Sequence, residues 1–187
     1  KEQKKMPEAK FAMEYGSCFV GAESGSMFPY DLTESCRTLR QVEVAQPTSC
    51  TSEYVMGVDL ATSSKRLADN AVITVVKLVE MENGNYLKRV VYMRSYHGKR
   101  LDALAEEVRR TYAKFPRIIK IVFDHRGLGD ALPEFLSQPW TDDNGKEYPP
   151  WTLDDSNSFI HNAVPILRSV KANPQINQQL VSSLRVA

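Results

Sequence analysis

Two apolar runs in this chain each end on an aspartate, and few folds accommodate both. Tyr54-Val55-Met56-Gly57-Val58-Asp59 leads into the small-residue turn Leu60-Ala61-Thr62-Ser63, and Ile118-Ile119-Lys120-Ile121-Val122-Phe123-Asp124 leads toward Gly127 and Gly129. Each run reads as a buried strand that delivers a carboxylate at its polar end. One strand-end aspartate is commonly a turn former or a helix cap. Two at matching positions are harder to explain that way, because like charges brought together are costly unless a cation binds. Asp59 and Asp124 are therefore the candidate catalytic and metal-binding pair. Hard divalent cations take oxygen ligands, so the expected cofactor is Mg²⁺ or Mn²⁺. Two such ions held by shared carboxylates suit phosphodiester hydrolysis, and a two-metal site is expected.

The pattern around these runs defines an α/β fold. Ala71-Val72-Ile73-Thr74-Val75-Val76-Lys77-Leu78-Val79 is rich in β-branched residues and predicts a second strand. Asn83-Gly84 then predicts a hairpin into a third strand over 86–96, with Lys88, Val90, Tyr92 and Arg94 on one face. Leu101, Leu104, Ala105, Val108, Tyr112 and Phe115 recur at helical spacing, and Pro116 ends that helix. A helix followed by the 118–124 strand implies a crossover into a parallel pair. A short helix over 130–136, a fifth strand over 164–170 and a helix opened by Asn173-Pro174 complete the order. The expected architecture is a mixed five-stranded sheet, three antiparallel strands plus parallel ones, flanked by helices. Residues 137–158, rich in Pro, Asp, Asn and Gly, read as loop with a small hairpin at Asn144-Gly145.

Residues 1–52 show no sustained period and read as a linker or arm, leaving 53–187 as the one domain that a chain of 187 residues can fill with a good core. Net charge is only +1, but ten basic residues lie between Lys88 and Lys120 against three acidic ones. Such an excess either attracts phosphates or decorates solvated faces. Asp69, ahead of the second strand, is either a further metal ligand or the polar start of that strand. His97, His125 and His161 are isolated, and Asp142-Asp143 and Asp154-Asp155 read as loop acids. No glycine-rich phosphate loop ending in Lys-Ser or Lys-Thr is present. Cys18, Cys36 and Cys50 have no metal-like spacing and suggest free thiols in a reducing compartment. With no span apolar enough for a bilayer, the expected location is cytosolic.

The chain resembles the nuclease domain of the large terminase subunit of tailed bacteriophages. The residues that carry this are Phe11-x-x-Glu14-Tyr15-x-x-x-Phe19 and Ser26-x-Phe28-Pro29, then Gly57-Val58-Asp59-Leu60-Ala61 with Asp69-Asn70-Ala71-Val72-Ile73, and Asp124-x-x-Gly127-Leu128-Gly129-Asp130. The resemblance implies a ribonuclease H-like fold and a two-metal endonuclease that cuts concatemeric double-stranded DNA during genome packaging, in the cytoplasm of an infected bacterial host. It implies Asp59 and Asp124 as metal ligands. It also implies a packaging ATPase domain upstream of Lys1, and a small terminase subunit and a portal protein as partners. A further catalytic acid is expected near the carboxyl end, either past Ala187 or replaced by Asp154 or Asp155. Under this reading Lys65, Arg66, Lys99, Arg100 and Arg126 are candidate DNA contacts.

Two rival readings belong to other classes. An actin-like or sugar-kinase-like nucleotide-binding half would use Gly57–Ser63 as a phosphate loop, but Asp124-His125-Arg126-Gly127 is bulky where a second such loop needs small residues. A catalytically silent packaging scaffold would dock its partner through the aromatics of the 11–50 arm.

Overall fold

The computed structural model describes residues 30–61, 70–124, 131–155, 160–171 and 173–186. The chain falls into two units, Lys1–Gln41 and Val42–Ala187. In the first, α1 (Tyr30–Ser35) is a six-residue helix with no buried side chain. An Arg37–Glu34 ion pair of 2.9 Å lies at its carboxyl end.

The second unit is α/β. Its elements run β1 (Glu53–Asp59), β2 (Ala71–Glu80), β3 (Tyr86–Tyr96), α2 (Leu101–Lys114), β4 (Ile118–Asp124), α3 (Leu132–Leu136), β5 (Trp140–Thr141), β6 (Glu147–Tyr148), β7 (Trp151–Leu153), β8 (Val164–Val170) and α4 (Pro174–Val186). The main sheet has six strands in the order β3-β2-β1-β4-β8-β7, and β5 with β6 forms a separate hairpin. β1, β2 and β3 pair antiparallel, whereas β1 with β4, β4 with β8 and β8 with β7 pair parallel. This mixed sheet flanked by helices is consistent with a ribonuclease H-like arrangement.

One face of the sheet carries the core. Tyr54, Met56 and Val58 of β1, Ala71, Ile73 and Val75 of β2, and Ile121 and Phe123 of β4 are buried together with Leu104, Ala105 and Val108 of α2. Phe115, where α2 ends, lies 5.4 Å from the ring of Tyr54 and 5.7 Å from that of Tyr92. The buried Thr111 is satisfied by donating its hydroxyl to the Glu107 carbonyl at 2.8 Å. Asn83-Gly84 makes the expected turn, with Gly84 at φ 77° and the Asn83 side chain accepting from the Asn85 N–H at 2.9 Å. Asn173 caps α4 through a 2.8 Å bond from the Ile176 N–H.

Three sequence expectations are corrected. The sheet has six strands, not five, because Trp151–Leu153 adds an edge strand beside β8. Residues 137–158 are not loop throughout. The hairpin expected at Asn144-Gly145 does form, with Gly145 (φ 81°) closing β5 on β6, and Trp140 stacks on Tyr148 with ring centroids 4.2 Å apart at 6°. Asp142 is no solvated bystander there: its carboxylate accepts from the Asn144 and Lys146 N–H groups and from the Tyr148 hydroxyl. Finally, Lys88, Val90, Tyr92 and Arg94 do not share a face. The register shifts so that Tyr92 pairs with Val75 and Val90 with Val76, and this irregularity sends Tyr92 to the core side and Val90 to the other.

Residues 42–52 strap the amino end of β1. Glu43 N–H donates to Val91 O at 2.9 Å, and Gln46 N–H to Lys114 O at 2.8 Å. Glu43 also bridges Lys77 Nζ and Tyr54 Oη, each at 3.0 Å, and Cys50 Sγ sits 3.2 Å from the same hydroxyl.

Candidate active site

Side chains alternate along a strand, so the residues between the buried ones project from the opposite face of the sheet. On β1 these are Val55, Gly57 and Asp59; on β4 they are Lys120, Val122 and Asp124. The last paired rung between these parallel strands joins Val58 to Phe123. Asp59 and Asp124 stand one residue past it, side by side on one face, at the carboxyl ends of neighbouring strands spaced about 4.8 Å apart. Asp59 is exposed and Asp124 half-buried. A side chain added at Gly57, two residues before Asp59 on the same face, would meet nothing within 4 Å. Among the described residues nothing crowds the sheet face at that glycine.

The topology explains why a site forms here. From β1 the chain passes to β2 on one side of the sheet, and from β4 its next main-sheet strands are β7 and β8 on the other. Strand ends where successive connections part company leave a crevice, the usual ligand position in open α/β sheets.

The donor set fits a hard divalent cation. Both ligands are carboxylates, and an ion such as Mg²⁺ binds through one or two protein carboxylates while keeping several waters. Among the described residues no group of three or more His, Cys, Asp or Glu forms a metal-binding set. Asp69 lies outside the described residues, as do Lys65, Arg66, His125 and Arg126.

Asp154 is committed elsewhere. Lys120 Nζ lies 2.9 Å from its Oδ2 and Arg168 Nη1 3.2 Å from its Oδ1. The Lys120 hydrogen bond above all holds the Asp154 carboxyl below its ordinary range. Lys120 sits four residues before Asp124, roughly 13 Å back along β4 at the usual strand rise. A carboxylate neutralised by two cations at that remove is a poor stand-in for a further metal ligand.

Among the described residues, five of the ten basic side chains between Lys88 and Lys120 (Lys99, Arg100, Arg109, Arg110 and Lys120) make ion pairs within the fold. Lys99 pairs with Glu107, and Arg100 with Asp102 at 3.3 Å. Arg110 reaches Glu106, Glu107 and Asp143 at 3.7–3.9 Å. Burial disfavours the charged form of Glu107, but the Lys99 hydrogen bond and charge prevail and hold its carboxyl below the ordinary value. Lys99 and Arg100 do lie at the aspartate end of the sheet, just past β3. Of the two, Arg100 is the more available, being 86% exposed despite its partner.

The sequence reading passed over the aromatic groups that fasten the β5–β6 hairpin. Trp151 lies 4.8 Å from Tyr112 of α2 and 5.9 Å from Trp140, ring centre to ring centre. Arg109 Cζ lies 5.9 Å from the Trp140 ring and Lys146 Nζ 4.8 Å from that of Tyr148. The clustering of two tryptophans and a tyrosine within 140–151 was the available signal. A groove of about 860 Å³ beside this hairpin is lined by Trp140, Tyr148 and His161 among others, and neither Asp59 nor Asp124 borders it. The aspartate pair and this groove are therefore separate features of the surface.

Comparison with protein-family models and with curated proteins gave no match.

Proposed function

We propose that residues 53–187 act as a metal-dependent DNA endonuclease, the nuclease domain of a viral genome-packaging terminase. One observation carries this reading: Asp59 and Asp124 stand abreast on one sheet face, a single residue past the Val58–Phe123 rung, where the β1 and β4 connections diverge. Two adjacent carboxylates repel unless positive charge lies between them, which makes the pair a cation holder before it is anything else. A bound hard divalent cation supplies Lewis acidity, neutralising the phosphodiester's charge and making water a better nucleophile. The residues of this chain do the positioning. Asp59 and Asp124 hold the ion or ions, and Gly57 leaves room for a nucleic-acid backbone. The attacking water forms the new P–O bond as the ester oxygen leaves with a proton.

The terminase assignment rests on the motif resemblance and adds the biological setting. The substrate would be concatemeric double-stranded DNA, and the domain would work beside a packaging ATPase, a small terminase subunit and a portal protein in the infected bacterial cytoplasm. No described helix is long and apolar enough to cross a membrane. Nicking of supercoiled plasmid, with divalent metal or chelator, by the wild-type chain, Asp59→Asn and Asp124→Asn tests the proposal.

A further inference from the structure

Beyond the aspartate pair, a histidine stands on the same face at the same end of the sheet. Asp59 pairs with Val72 across β1–β2, and Val72 pairs with Ser95 across β2–β3, so Asp59, Val72 and Ser95 form one row. The next step along, Ala71 with Tyr96, is buried and turned to the core. Asn70 and His97 lie one residue beyond that step, just outside the ends of β2 and β3, where continued alternation would return them to the face of Asp59. Both are exposed, and His97 Nδ1 lies 2.9 Å from Asn70 Oδ1.

An amide oxygen only accepts, so Nδ1 is the protonated nitrogen and donates to Asn70. That bond orients the ring and leaves Nε2 as the outward atom. With a second proton, Nε2 becomes a charge-assisted donor of the kind that binds phosphate oxygens. Two strand spacings sideways and two residues along the strand put the His97 and Asp59 backbones about 12 Å apart. That is too far to share one phosphate and suits a neighbouring one.

We propose that His97, oriented by Asn70, is a phosphate contact that aligns the DNA strand along the sheet face beyond the Asp59–Asp124 pair. The proposal rests on the nuclease reading and extends it to a positioning residue. The charged groups nearest along the chain are Arg94, Lys99 and Arg100. Lys99 is paired with Glu107 and Arg100 with Asp102, while Arg94 Cζ lies 5.4 Å from the Tyr96 ring. Among the described residues, Asp59 on β1 and Asp124 on β4 are acids at this end of the same sheet face.

The test is equilibrium binding of a short fluorescein-labelled DNA duplex in chelator, where no metal-dependent cleavage intervenes, measured over a range of salt concentrations. His97→Ala weakens binding about threefold to tenfold and lowers the slope of log affinity against log salt by about 0.9. Asn70→Ala moves both in the same direction by less, and His97→Lys restores affinity and slope. Circular dichroism melts confirm that each variant folds. Wild-type binding with an unchanged slope in His97→Ala overturns the contact and leaves the nuclease reading standing. A wild-type chain that binds no DNA overturns both.

Discussion

Lys120 Nζ and Asp154 Oδ2 lie 2.9 Å apart, and this pair ties β4 to the turn that follows β7. Arg168 of β8 closes on the other oxygen at 3.2 Å. One carboxylate thus joins three neighbouring strands of the sheet.

Because these cations depress the Asp154 carboxyl, its stabilisation is fully present above the unfolded value of about 3.9 and is lost as pH falls through the lower folded value. Asp154→Asn costs about 0.5–1 kcal/mol at neutral pH after allowance for solvent screening, and the difference from wild type shrinks below pH 4. Urea unfolding at pH 7 and pH 3 measures this. The same variant keeps the metal dependence of the wild type, since Asp154 holds no metal.

The Glu43–Tyr54–Lys77 network fixes the state of Cys50. Burial alone would push that thiol up, but the hydrogen bond with Tyr54, aided by Ser52 and Lys77, brings it below its ordinary value. The rate of iodoacetamide labelling at Cys50, followed by mass spectrometry against pH, therefore has a midpoint below that of an ordinary thiol. In Tyr54→Phe the midpoint moves upward; an unmoved midpoint would remove Tyr54 from the account.

Trp151 is 1% exposed and joins the hairpin aromatics to Tyr112 of α2. Trp151→Ala removes a large buried ring and costs about 3–5 kcal/mol, read as a lower denaturant midpoint. A loss under about 1 kcal/mol would mean that the β5–β6 hairpin does not depend on this packing.

What the sequence revealed and what it hid follow from the range of each interaction. β1 and β4 were legible as apolar runs, α2 as a stripe at helical spacing, and the Asn83-Gly84 turn and Asn173 cap as local chemistry. The adjacency of Asp59 and Asp124 followed from strand order once a crossover was inferred. The β3 faces were misread because the register slip opposite Val75 and Val76 leaves no mark in composition. β7 is three residues long, too short to show a period, and the hairpin before it is built from prolines, aspartates and single aromatics. Two partners of the basic residues of 88–120 are tertiary and left no local mark. Asp143 meets Arg110 from a distant loop, and Asp154 meets Lys120 only once β7 is in place.

The central claim is that Asp59 and Asp124 together hold the cation that cuts DNA. Its most direct test is conversion of supercoiled plasmid to nicked and linear forms with Mn²⁺, Mg²⁺ or EDTA. The account predicts cutting by the wild-type chain with metal, none with EDTA, and background levels in both Asp59→Asn and Asp124→Asn, with each variant as well folded as the parent. Undiminished cutting by either folded variant, or wild-type cutting that persists in EDTA, would contradict it.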